Sequence, residues 1–262
     1  MPCLCQEVYA NRRGFALIVS GLRFVVPAEF SSVMRHLYET GEIMMKTYQI
    51  VMLVAYGLGI LTMIVMKALN IGNRRRGVVK MICSALFVAM AISQAVGSTE
   101  RYKVFALVGV IFAALGDLFL VFMDKHELFV CGVLSFSAAS LCFSIYTSLS
   151  FDWHWWFLIV FVLFISAIVA GQLTKVIDFG RSLVYLNLYT GFVALCGCLG
   201  LTLVFNGATA NVHAFLFGLG SFMYFASDIV LGLFLYKFHS PVMDGVNTAL
   251  YFPGLMLIAL AL

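Results

Sequence analysis

Charge is scarce in this chain. Asp, Glu, Lys and Arg make up only 11% of its 262 residues, against 63% hydrophobic, and mean hydropathy is +1.04. Such a composition excludes a soluble domain, because the longest stretch without a spanning run is the first 46 residues. The signatures of common hydrolytic and nucleotide chemistry are missing too: no G-x-S-x-G elbow, no H-E-x-x-H helix and no P-loop. Of the seven cysteines, five lie within apolar runs and read as small apolar residues, and Cys196-x-Cys198 has no second ligand pair to make a zinc site. Cys3 and Cys5 are candidates for palmitoylation. The five histidines fall in loops or at helix ends. The basic residues form no stripe, so nucleic acid is not an expected partner. Proline is rare, with Pro253 alone interrupting a span.

What is present is a series of apolar runs about 20 residues long, the length a helix needs to cross a bilayer. Eight are expected, at 47–68, 77–96, 102–123, 127–149, 154–174, 182–205, 211–236 and 245–262, separated by short polar joints. Continuous apolarity without period-2 alternation favours helices over a barrel. The expected fold is an all-α polytopic transmembrane bundle (47–262) behind an N-terminal tail or interfacial segment (1–46), in which Arg12, Arg13 and GFALIVSGL imitate a signal peptide that Arg23 interrupts. The loops with Arg74, Arg75, Arg76, Lys125, Lys175, Arg181 and Lys237 carry the basic excess, so the positive-inside rule puts them in the cytosol and both ends of the bundle opposite. Trp153, Trp155 and Trp156 read as an interfacial aromatic belt.

Against this background two acids stand out. Of twelve acidic residues, ten lie in the N-terminal region, in loops or at span edges; Asp117 and Asp228 lie inside apolar windows. A charge there costs at least ~2.5–3.5 kcal/mol on insertion scales, which makes each a functional-site candidate. The windows match in spacing: Gly109 lies eight residues before Asp117, Gly220 eight before Asp228, and ALGD parallels FASD. They are four spans apart, which fits two four-helix repeats. Spans three and seven run in the same direction, and counting residues at about 1.5 Å each puts the acids roughly 9 and 12 Å from the same membrane face. Lys80, Tyr185, Asn187, Tyr189, Asp244 and Asn247 start their spans at that face, Tyr224 is one turn from Asp228, and Gly109 and Ala113 form a small-residue stripe beside Asp117.

A polar pocket roofed by hydrocarbon is the expected arrangement. Two carboxyls in low dielectric share protons unequally, so one donates while the other carries charge. Such a dyad suits acid-catalysed hydrolysis of a peptide, glycoside or enol ether and needs no metal or organic cofactor. Paired intramembrane acids also serve proton-coupled transport, although no span shows the paired Gly/Pro break of discontinuous transporter helices. A receptor or scaffold without turnover would leave the acid pair without a task.

The segments ALGDLFLVF and FGLGSFMYFASDIVLGL, the Gly132-x-x-x-Phe136 spacing, Lys80 ahead of an apolar span and Tyr251 in the last helix resemble the YhhN-like lysoplasmalogenase family over most of residues 47–262. The resemblance implies an eight-helix hydrolase that cleaves the vinyl ether bond of a lysophospholipid, releasing fatty aldehyde and glycerophosphoethanolamine or glycerophosphocholine. It implies Asp117 and Asp228 as the acidic pair and Lys80 near the headgroup, with Tyr224, Asn187, Tyr185, Asn247 and Tyr251 as candidate substrate contacts. In a eukaryotic cell the expected site is the endoplasmic reticulum or another internal membrane. The chain departs from the family pattern at Ser140 and Phe143, where His and Tyr are usual, and at Leu255, where a polar amide is usual.

Overall fold

The computed structural model describes residues 10–11, 14–19, 22–25, 46–69, 72–96, 100–122, 125–174, 183–207, 211–236 and 240–262. The chain forms two units, Met1–Ile50 and Val51–Leu262. In the first, the described residues up to 25 are extended where the sequence suggests an interfacial segment. Strands β1 (Ala10–Asn11), β2 (Gly14–Val19) and β3 (Leu22–Val25) form an antiparallel meander, with Ala10 opposite Phe15 and Ala16 opposite Val25.

Eight helices follow: α1 (Thr47–Ala68), α2 (Asn73–Ala95), α3 (Lys103–Val121), α4 (His126–Ser150), α5 (Phe157–Leu173), α6 (Leu183–Gly207), α7 (Val212–Tyr236) and α8 (Pro241–Leu260). Seven are long and apolar enough to cross a membrane. The eighth, α5, has 17 residues, about 25 Å of rise, because Trp155 and Trp156 turn ahead of it instead of joining it. Ends are set locally where polar side chains permit. At α8, Ser240 accepts a hydrogen bond from the Val242 N–H, and Pro241 occupies the first turn, where its missing N–H costs nothing.

The packing order is α2, α3, α4, α6, α7, α8, with α8 returning to α2. Helix α5 packs on α6. Helix α1 meets α2 where Gly59 faces Cys83, and meets α8 where the Tyr56 hydroxyl donates to the Phe252 carbonyl at 2.6 Å. Adding four to each helix number maps α2–α3 onto α6–α7, α3–α4 onto α7–α8, and α4–α6 onto α8–α2. The correspondence covers this ring of six helices only, since the packing of α5 on α6 has no counterpart of similar extent between α1 and α2.

Outward faces carry residues such as Val51, Leu58 and Leu163, which are exposed, while Phe143, Tyr146, Phe217, Tyr224 and Phe252 are fully buried. With apolar residues on both faces, helix association rests on close packing. Helix α7 is held on both sides by backbone contact. A Cβ on Gly218 would come 2.6 Å from the Gly200 carbonyl oxygen of α6, and one on Gly220 would come 2.6 Å from that of Gly254 on α8. On α3, Gly109 and Gly116 make room for the rings of Phe143 and Phe136 from α4.

Candidate functional site

Asp117 is fully buried on α3. Lys80 and Ser84, one turn apart on α2, reach it together: the Ser84 hydroxyl donates to Oδ2 at 2.6 Å, and Lys80 Nζ lies 2.9 Å from Oδ1. The Lys80 contact is an ion pair without the alignment of a hydrogen bond. The lysine remains 22% exposed while the carboxylate is 1% exposed, so Lys80 links the rim of the bundle to the interior. The Tyr251 hydroxyl of α8 approaches Asp117 without forming an aligned bond.

Asp228 occupies the matching position on α7, with a different partner. The neighbouring helix α6 offers the Tyr189 hydroxyl in place of a lysine. The other carboxyl oxygen, Oδ2, is buried and has no hydrogen-bond partner. The repeated helix pairs α2–α3 and α6–α7 therefore present unequal acids. Asp117 has an ammonium and a hydroxyl donor beside it, whereas Asp228 has a phenol and an oxygen without a hydrogen-bond partner among the described residues.

Between the two acids lies an aromatic cluster. Tyr224 and Tyr251 have ring centroids 5.9 Å apart, Phe136 lies 6.0 Å from Tyr251, and Tyr189 lies 6.5 Å from Phe136. The phenols of Tyr189, Tyr224 and Tyr251 each lie within the electrostatic reach of both aspartates. Tyr224 OH is 3.4 Å from Ser140 Oγ, whose own hydrogen goes to the Phe136 carbonyl at 2.9 Å; Tyr224 is then the donor between them. The departures Ser140 and Phe143 thus lie within the cluster, Phe143 edge-on to Tyr224 at 6.2 Å. Leu255 is buried.

Not every candidate lies there. Tyr185 and Asn187 are exposed, and the Asn187 amide pairs with Gln172 of α5, accepting from its Nε2 at 2.6 Å. The expectation that these two reach the pocket is corrected by helix rotation. The inward stripe of α6 runs through Leu186, Tyr189 and Val193, three and four residues apart, and Tyr185 and Asn187 fall to either side of it. Asn247 is half-buried on α8, and the polar contacts of its turn belong to Asp244 and Thr248. Lys67, near the end of α1, is a polar residue that the sequence did not single out. Its Nζ donates to Asp244 Oδ1 at 2.5 Å, to Thr248 Oγ1 at 2.5 Å and to the Asp244 carbonyl at 3.0 Å, and Arg76 Nη1 lies 3.6 Å from Asp244 Oδ2.

Helices of this length and apolarity mark a multi-pass membrane protein, and Asp117 and Asp228 are set within two of them. The chain belongs to the YhhN family, whose sequence model matches residues 75–262, more than half of its length. The match starts in α2 and leaves α1, with Lys67, outside it. No curated protein and no solved structure matches the chain.

Proposed function

We propose that the protein hydrolyses the vinyl ether bond of lysoplasmalogens, releasing a fatty aldehyde and glycerophosphoethanolamine or glycerophosphocholine. One observation carries this reading: two buried acids share a tyrosine cluster, and only Asp117 has a cation beside it. An enol ether needs a proton donor and a stabilised cation, and the two environments divide those tasks.

In this mechanism Asp228 gives its proton to the alkene carbon distal to oxygen. The C=C electron pair forms the new C–H bond and leaves an oxocarbenium ion. Asp117, which Lys80 and Ser84 contact, stabilises that ion and accepts a proton from the attacking water. The hemiacetal collapses with cleavage of its bond to the glycerol oxygen, yielding the alcohol and the aldehyde. The proton gained by Asp117 restores Asp228 through the phenols of Tyr251, Tyr224 and Tyr189. One water is consumed, and both acids return to their starting forms.

The alkyl chain would lie among the apolar residues of the bundle, with the headgroup at the rim that Lys80 joins. Purified protein in detergent should release long-chain aldehyde from lysoplasmalogen and leave an ester-linked lysophospholipid intact, since an ester demands a nucleophile that this site does not offer. Ester cleavage at a comparable rate, or no aldehyde from the vinyl ether, would overturn the proposal. Proton-coupled transport is the reading that a null result would favour, because it uses the same acids without bond cleavage.

A further inference from the structure

A cavity of about 430 Å³ opens at the other end of the bundle, lined by Glu100, Arg101, Lys103, Ser150, Asn211 and His213 on its polar side, two cations against one carboxylate, and by Tyr146, Leu149 and Phe151 on its apolar side. Lys103 and Asp117 are fourteen residues apart on α3, about 21 Å of helix, so this cavity is remote from the acid pair. The proposed hydrolysis gives it no role.

Its electrostatics are unresolved by the protein itself. The Lys103 side chain is only 15% exposed, and its ion pair with Glu100 Oε2 is long, at 3.6 Å, to a carboxylate that is 63% exposed. A partner so far into solvent neutralises a mostly buried ammonium poorly. Lys103 also begins α3, Arg101 precedes it, the first turn carries no acid, and the Tyr102 side chain makes no capping bond. Two cations thus sit at the positive end of a helix dipole, an arrangement that repels them and attracts an anion. Ser150 is half-buried on the same wall, its Oγ turned in beside the Tyr146 hydroxyl. His213 Nδ1 is used, 3.0 Å from the Ala261 carbonyl, which leaves Nε2 as the ring nitrogen outside that bond.

We propose that this cavity is a second ligand site, for a phosphate-bearing amphiphile. The phosphate would meet Lys103, Arg101 and the amide end of α3, and the chain would run along Tyr146, Leu149 and Phe151. The same phosphate chemistry could be presented by a membrane lipid or by a water-soluble phosphate ester, and the two sources are separable by experiment.

All three tryptophans stand just after Phe151, so tryptophan fluorescence reports on this end of the molecule. Detergent-solubilised full-length protein would be titrated with short-chain phosphatidylglycerol, with glycerol 3-phosphate and with inorganic phosphate. A saturable response to the lipid is expected, and Arg101→Gln and Lys103→Gln should each weaken it about tenfold, the scale of one charge-assisted hydrogen bond. Lipid binding alone identifies a headgroup; equally tight binding of glycerol 3-phosphate identifies a soluble ester. Arg101 is exposed, so its variant keeps the test informative if Lys103→Gln fails to fold. No saturable response to any of the three, or a response unchanged in the folded variants, would overturn the proposal. Aldehyde release, measured separately, leaves this outcome independent of the hydrolytic reading.

Discussion

Lys80 and Asp117 form an ion pair at 2.9 Å that crosses from the rim of the bundle to its interior, and among the described residues Asp228 has no such pair. The two halves share a packing pattern and differ in one chemical respect: α2 brings an ammonium to its acid, and α6 brings a phenol. The two acids therefore sit in different chemical surroundings.

Removing the lysine should expose the cost of the buried carboxylate. Lys80→Met should destabilise the protein by about 3–5 kcal/mol, the usual penalty for stranding one member of a buried pair. Combining it with Asp117→Asn should recover much of that loss, because the stranded charge is gone. Thermal unfolding of the two singles and the double variant measures both; equal and additive losses would contradict the pairing.

Tyr189→Phe keeps the ring beside Phe136 and removes the hydroxyl that serves Asp228. Thermal stability should change by no more than about 1 kcal/mol, the net worth of one hydrogen bond. Aldehyde release should fall at least about tenfold, because the proton donor loses the group that positions and recharges it. Initial rates with lysoplasmalogen, set beside unfolding curves, separate the two effects.

The outward placement of Asn187 gives a contrasting prediction. Asn187→Ala and Tyr185→Phe should leave turnover within about twofold of wild type, since both side chains stand on the surface of α6. This is also where the sequence was least informative. Asp117 and Asp228 stand out in the sequence because a charge in an apolar window is costly. Rotation about a helix axis was not legible on α6, where apolar residues on every side leave no amphipathic stripe to orient Tyr185, Asn187 and Tyr189. Lys67 was hidden for another reason. Its place at the end of an apolar run looks like a topology marker, and only the approach of α1 to α8 brings it to Asp244 and Thr248. The two matched windows suggest a repeat, and the order of helix contacts follows it in six of the eight helices.

The close approach of α7 to α8 should tolerate no side chain. Gly220→Val would drive a methyl-bearing carbon toward the Gly254 carbonyl and Ile258, at about 2.6–2.9 Å before relaxation. A loss of about 1–3 kcal/mol or more, seen as a lowered Tm or a poor yield of folded protein, is expected. Gly232→Ala, on the same helix with open space around it, serves as the control and should be close to neutral.

The most direct test of the account is the initial rate of aldehyde release from a lysoplasmalogen by purified wild-type, Asp117→Asn and Asp228→Asn proteins, each verified as folded. Asparagine nearly matches aspartate in shape but neither donates a carboxyl proton nor carries charge. Both substitutions should therefore lower turnover by at least about 10²-fold, the scale of losing a general acid or base. Aldehyde release at the wild-type rate by either folded variant would contradict the two-acid mechanism.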